Sequence, residues 1–139
     1  MKTIGHRISG KVIEPKESRY GDVYNPATGE VEGKVALASI AEVNQAVESA
    51  KNSLPEWSAM PPIQRARILF KYKELIEQNI DELADLVGRE HGKTLTDAKG
   101  SVIRGLEVVE FACGIPHLLK GEFTENVGTG VDSFSMRQP

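Results

Sequence analysis

Glu90-His91-Gly92-Lys93-Thr94-Leu95 opens a helix that continues through Arg104-Gly105-Leu106-Glu107-Val108-Val109-Glu110-Phe111-Ala112-Cys113-Gly114 to Pro116, and the rest of the chain is read around it. Leu95, Ala98, Val102, Leu106, Val109 and Cys113 recur at steps of three and four, one apolar stripe of a helix. Arg104, Val108, Phe111 and Ile115 form a second row on another face. Two apolar faces predict a helix buried on more than one side. Arg104 then heads an apolar row, where a charge requires a partner. Gly100, Gly105 and Gly114 interrupt the helix, each at a cost of about 1 kcal/mol against alanine, which predicts close backbone approach.

At 139 residues the chain fits one domain able to bury a core. It is 40% hydrophobic and 27% charged, the balance of a soluble globular protein. A net charge of −3 argues against nucleic acid as a partner, which requires a concentrated basic face. One cysteine allows no internal disulfide and suits a reducing compartment. Residues 1–6 lack the apolar run of a signal peptide, and no stretch is long enough to span a membrane. A cytoplasmic protein is expected.

From the start, His6-Arg7-Ile8 and Lys11-Val12-Ile13 flank Ser9-Gly10 and predict a short hairpin. Pro15 to Ser18 reads as polar loop. Val23-Tyr24 leads into Asn25-Pro26-Ala27-Thr28-Gly29-Glu30, a turn, and Lys34 to Ala38 resumes as a strand. Ser39-Ile40-Ala41-Glu42 is a capping box. Its helix should turn Val43, Ala46, Val47 and Ala50 inward and end near Asn52. Leu54-Pro55-Glu56-Trp57 is then a connector, with Trp57 anchoring the core. Pro61-Pro62 starts a helix through Gln78, with Ile63, Ala66, Phe70 and Leu75 or Ile76 apolar and Arg65, Lys71, Lys73 and Glu77 facing solvent. Asn79 to Glu82 punctuates it, and Leu83, Leu86 and Val87 carry a further helix to Gly92. Thr94-Leu95-Thr96-Asp97 caps the central helix, which Pro116 breaks. Thr124 to Gly130 is expected to be loop. Val131 to Arg137 alternates like a strand, with no turn or partner before the sequence ends at Pro139.

Several patterns suggest chemistry and are weak. Gly88 to Thr94 imitates a phosphate loop but has three residues between its glycines where four are needed, and it follows a helix. Cys113 and His117 have helical ligand spacing, but two ligands close no zinc site and Pro116 lies between them. As nucleophile and base they lack the electropositive, open setting a thiolate needs. Glu107 and Glu110 suit a solvated flank or an ion pair. Arg104 suits either an i,i+3 pair with Glu107 or a carboxylate ligand, because a guanidinium fork offers paired donors.

Glu90-x-Gly92-Lys93 with the helix behind it resembles the N-terminal region of the aldehyde dehydrogenase superfamily, and Asn25-Pro26-Ala27-Thr28-Gly29 agrees with that. Arg104 to Pro116, followed by Leu118-Leu119-Lys120-Gly121-Glu122, resembles the methylmalonate-semialdehyde dehydrogenase branch, which acylates coenzyme A. The resemblance implies an α/β fold: the N-terminal part of the aldehyde dehydrogenase architecture, with a short β-hairpin region, several packed helices and an unpaired oligomerisation-arm strand. Residues 1–139 then form a single partial domain, with that strand at 131–138. The implied reaction is NAD-dependent oxidation of malonate or methylmalonate semialdehyde, with acyl transfer to coenzyme A and loss of carbon dioxide, in a homo-oligomer. The family's nucleophilic cysteine, general-base glutamate and cofactor loop match no position here, and Cys113 does not match the nucleophile motif. Catalytic and cofactor-binding residues are therefore expected to be absent, and the isolated chain inactive. Arg104 matches an arginine that holds the substrate carboxylate. Glu90, with backbone oxygens near Val23 and Tyr24, matches an acidic position that binds a structural cation in some members; a solvated carboxylate is an equal reading, and no metal is assigned. Two alternatives stay open: another carboxylate-bearing semialdehyde such as succinate semialdehyde, and a truncated, catalytically inactive product or interaction module.

Overall fold

The computed structural model describes residues 2–14 and 19–138, so the predicted polar loop at 15–18 lies outside the described residues. Five short strands come first: β1 (Lys2–Ile4), β2 (His6–Ile8), β3 (Lys11–Ile13), β4 (Tyr20–Tyr24) and β5 (Val31–Ala36). β2 and β3 form the expected antiparallel hairpin, turning through Ser9 (φ 52°) and Gly10 (φ 74°). Positive φ at both positions matches the right-handed twist of the flanking strands. β5 is the centre of a second, three-stranded sheet, antiparallel to β4 and parallel to β1. Gly33 sits opposite Lys2, and a Cβ there would lie 2.9 Å from the Lys2 carbonyl oxygen. Only glycine lets β1 approach so closely. β1 itself, three residues with no alternation, was not foreseen.

α1 (Ile40–Ala59) opens on the predicted capping box. Ser39 Oγ accepts from the Glu42 amide at 3.3 Å, and Glu42 Oε2 accepts from the Ser39 amide at 2.8 Å. The helix does not stop at Asn52. It runs through Pro55, whose missing N–H removes one internal bond, and the Met60 amide closes the last turn on the Glu56 and Trp57 carbonyls. The predicted connector is therefore helix. Trp57 does not anchor the core: it is 42% exposed, with the Arg65 guanidinium 6.0 Å from its ring centre. Arg65 accordingly is half-buried and does not face solvent freely. Val43 and Val47, expected inward, are 50% and 57% exposed.

α2 (Pro62–Gln78), α3 (Ile80–His91) and α4 (Leu95–Cys113) pack together. Their close contacts use alanine: Ala66, Ala84 and Ala98 are completely buried. Among the described residues no large side chain is fully buried, so the core is thinner than chain length alone suggests. Ile63, Phe70 and Leu75 of α2 remain exposed beside the buried Ala66. Lys73, expected in solvent, instead ties α2 to α4. It pairs with Glu77 on its own helix and with Glu110 at 3.2 Å. The bond to Glu77 raises the amine above its ordinary range, partial burial opposes this, and Glu110 adds to the rise.

α4 ends at Cys113. Gly114 separates it from α5 (Ile115–Leu118), and Pro116 occupies the first turn of α5, where no N–H is required. The first apolar stripe behaves as predicted from Ala98 onward, with Ala98 and Cys113 buried and Val102, Leu106 and Val109 half-buried, but Leu95 at its head is 59% exposed. The second does not: Val108 and Phe111 are 68% and 70% exposed. Two-faced burial is thus not realised within the described residues. Nor is close approach at Gly100 or Gly105. A Cβ on Gly105 would meet nothing within 4 Å, and one on Gly100 would make only ordinary contact with Arg104; Gly114 is tight, against the Phe111 carbonyl of the preceding turn.

The C-terminal strand has a partner after all. β6 (Phe123–Gly128) and β7 (Val131–Phe134) form an antiparallel hairpin that turns at Gly130 (φ 70°). β6 occupies most of the stretch expected to be loop, and β7 ends at Phe134, short of Arg137 and Gln138. A bulge around Asn126 (φ 51°) is pinned by the Asn126 amide donating to Asp132 Oδ1 at 2.9 Å. Every residue of both strands is exposed. A strand wet on both faces has no apolar alternation, so its polar sequence looks like a loop.

Candidate functional site

Gly92 ends α3 in the left-handed region (φ 67°), and the Lys93 amide donates to the Gly88 carbonyl at 3.2 Å. This is an ordinary glycine-terminated helix, not a cradle of amides, so the phosphate-loop resemblance has no structural counterpart. A Cβ on Gly92 would stand 3.2 Å from Pro26, which seats the Asn25–Glu30 turn against the α3–α4 junction. Thr94 then caps α4, its hydroxyl accepting from the Asp97 amide at 3.4 Å.

One turn further along, three side chains meet at Ser101. Its hydroxyl oxygen lies 3.0 Å from Lys93 Nζ and 3.0 Å from Arg104 Nη2, and the hydroxyl donates to the Asp97 carbonyl at 3.3 Å. Lys93 also pairs with Asp97 Oδ2 at 3.1 Å. Arg104 is exposed, and among the described residues no carboxylate lies within ion-pair distance of it. The alternative i,i+3 pair with Glu107 is therefore not formed. Sequence reading missed Ser101 because it searched for an anion near Arg104. The available signal was spacing alone, since Ser101 is three residues before Arg104 on the same helix.

The remaining candidates separate. Cys113 is buried at the end of α4, and His117 is exposed on α5 beyond the Gly114 break. A buried thiol in apolar surroundings is a packing residue. Glu110 is engaged by Lys73, which leaves no acid–base pair with Glu107. Among the described residues no three histidine, cysteine or acidic side chains gather to hold a metal. Glu90 does line one cavity, of about 200 Å³, with Val23 and Tyr24; Glu32, Lys2 and Arg89 line it too, and no metal is assigned to this mixed charge. An apolar groove of about 300 Å³ lies between α2, α3 and α4, bordered by Tyr72, Leu83, Val102 and Gly105. No helix among the described residues is long and apolar enough to cross a membrane.

Comparison with known proteins gives this arrangement its context. The model of the aldehyde dehydrogenase family matches residues 13–139. The chain belongs to the aldehyde dehydrogenase family. It is 43% identical to malonate-semialdehyde dehydrogenase of Pseudomonas aeruginosa, over the whole chain and 28% of that protein. It is 46% identical to the mitochondrial, acylating methylmalonate-semialdehyde dehydrogenase of Arabidopsis thaliana, over 95% of the chain and 22% of that protein. Its structure superposes with a TM-score of 0.92, at 53% identity, on a Sinorhizobium meliloti protein assigned as methylmalonate-semialdehyde dehydrogenase and solved with NAD. That superposition covers the whole chain and 28% of the larger structure. The chain thus corresponds to the N-terminal portion of aldehyde dehydrogenases and spans under a third of their length. The α/β reading holds for that portion, with small sheets and five helices.

Proposed function

We propose that this chain serves as the N-terminal portion of an NAD-dependent, coenzyme A-acylating malonate or methylmalonate-semialdehyde dehydrogenase. In that reaction the semialdehyde would be oxidised at the expense of NAD, the carboxylate would leave as carbon dioxide, and the acyl group would pass to coenzyme A, whose released thiol proton balances the proton taken up by the carbon that loses carbon dioxide. Arg104 is the residue of this chain that holds the substrate carboxylate. The observation supporting it most directly is the setting of Arg104: a guanidinium anchored through one N–H to Ser101, with no carboxylate of its own among the described residues. The rest of the fork can then grip a carboxylate in bidentate fashion. The isolated chain is inactive on this reading, and NAD, the semialdehyde and coenzyme A are ligands of the whole enzyme, a homo-oligomer in the cytoplasm.

Substrate preference and coenzyme A dependence test the proposal. NADH formation by the complete enzyme should favour malonate or methylmalonate semialdehyde over succinate semialdehyde and should require coenzyme A. Faster turnover of succinate semialdehyde without coenzyme A would replace this reading with that of a different semialdehyde dehydrogenase.

A further inference from the structure

We infer that Ser101 is a positioning residue that sets the orientation of Arg104 toward the substrate carboxylate; this rests on the role proposed for Arg104. A serine hydroxyl has one proton to give and two lone pairs to receive. All three are used at Ser101: it donates to the Asp97 carbonyl and accepts from Lys93 Nζ and Arg104 Nη2. A hydroxyl with every valence satisfied cannot rotate without losing a bond, so it is a fixed reference point on the rigid α4 backbone. The two cations it receives are not equivalent. Lys93 has Asp97 Oδ2 at 3.1 Å as its counter-charge. Among the described residues Arg104 meets only the neutral hydroxyl, so its charge remains to be neutralised by a ligand. Lys93 also holds the hydroxyl from the α3–α4 junction, where its backbone amide is tied to Gly88. An arginine on a free side chain would lose much rotamer freedom on gripping substrate; one already held by Ser101 loses less.

The test is Ser101→Ala in the complete enzyme, compared with Arg104→Leu and the double variant. Expected for Ser101→Ala is a KM for methylmalonate semialdehyde raised about three- to ten-fold, with kcat and the constants for propanal unchanged. Ser101→Thr, which keeps the hydroxyl, should restore most of the loss. In the Arg104→Leu background, Ser101→Ala should have no further effect, because the two residues act as one unit. Selectivity lost in Arg104→Leu but intact in Ser101→Ala would overturn the positioning role and leave the Arg104 reading standing. Equal losses on both aldehydes with a lowered Tm would make Ser101 a structural residue and likewise overturn it. An Arg104→Leu enzyme with unchanged selectivity would remove the parent reading itself.

Discussion

Arg104→Leu in the complete enzyme separates a ligand-holding arginine from a structural one. Among the described residues the side chain makes a single hydrogen bond, to Ser101 at 3.0 Å, and it is exposed. Removing one exposed bond costs about 1 kcal/mol or less, so the fall in Tm should be a few degrees at most. Loss of a charged hydrogen bond to a substrate carboxylate that is partly desolvated costs about 1.5–3 kcal/mol. That is a roughly ten- to hundred-fold drop in kcat/KM for methylmalonate semialdehyde. Propanal carries no carboxylate, so its kcat/KM should barely change. The informative quantity is therefore the ratio of the two kcat/KM values in wild type and variant, with thermal melting measured on the same samples. Arg104→Lys should rescue only in part, because an ammonium is a point charge and does not reproduce the fork. An unchanged ratio together with a lowered melting point would refute the carboxylate role and make Arg104 a surface partner of Ser101.

Three further outcomes are expected. The 139-residue chain alone, titrated with NAD in a calorimeter, should show no saturable binding; micromolar affinity would mean that the portion carries a cofactor site of its own. The same chain should self-associate in light scattering, because Val108, Phe111 and Val47 are bare and the β6–β7 hairpin is exposed throughout; a clean monomer at high concentration would show these faces to be harmless. Glu42→Ala removes the acceptor of the Ser39 amide and the only buried charged side chain among the described residues, and should cost about 1–3 kcal/mol in urea denaturation. A change under about 0.5 kcal/mol would show that the capping box contributes little.

Local chemistry made much of the fold legible. The Ser9-Gly10 hairpin, the Asn25–Gly29 turn, the Ser39–Glu42 box, the Pro62 start, the Gly92 stop and the Thr94 cap all lie where short-range residue preferences put them. The misses have separate causes. Pro55 looked like a terminus because proline penalises a helix interior, yet one lost bond does not outweigh the bonds on both sides. β6 looked like loop because strand recognition relies on one buried face, and it has none. β1 is too short to show a period. The inward faces assigned to Val43, Val47, Val108 and Phe111 were a different error. Periodicity reports that a helix has an apolar side; whether anything covers that side depends on residues elsewhere.

The same limit applies to Arg104. Spacing placed it on α4 and left two partners possible, Glu107 and a ligand, because both lie within reach of a long side chain. Among the described residues the structure excludes the first and shows a third, the neutral hydroxyl of Ser101, which charge alone does not suggest. A hydroxyl orients a guanidinium without neutralising it. A carboxylate partner would have done both, and substrate binding would then have had to displace that ion pair, offsetting part of the gain. Anchoring by serine keeps the positive charge available and costs the binding step one less competing anion. This asymmetry between Lys93, neutralised by Asp97, and Arg104, merely oriented by Ser101, is what makes Arg104 the stronger candidate for carboxylate recognition. It also says why Lys93→Met should disturb substrate selectivity less than Arg104→Leu: Lys93 already has its counter-ion, so its removal loosens Ser101 and takes no binding charge away.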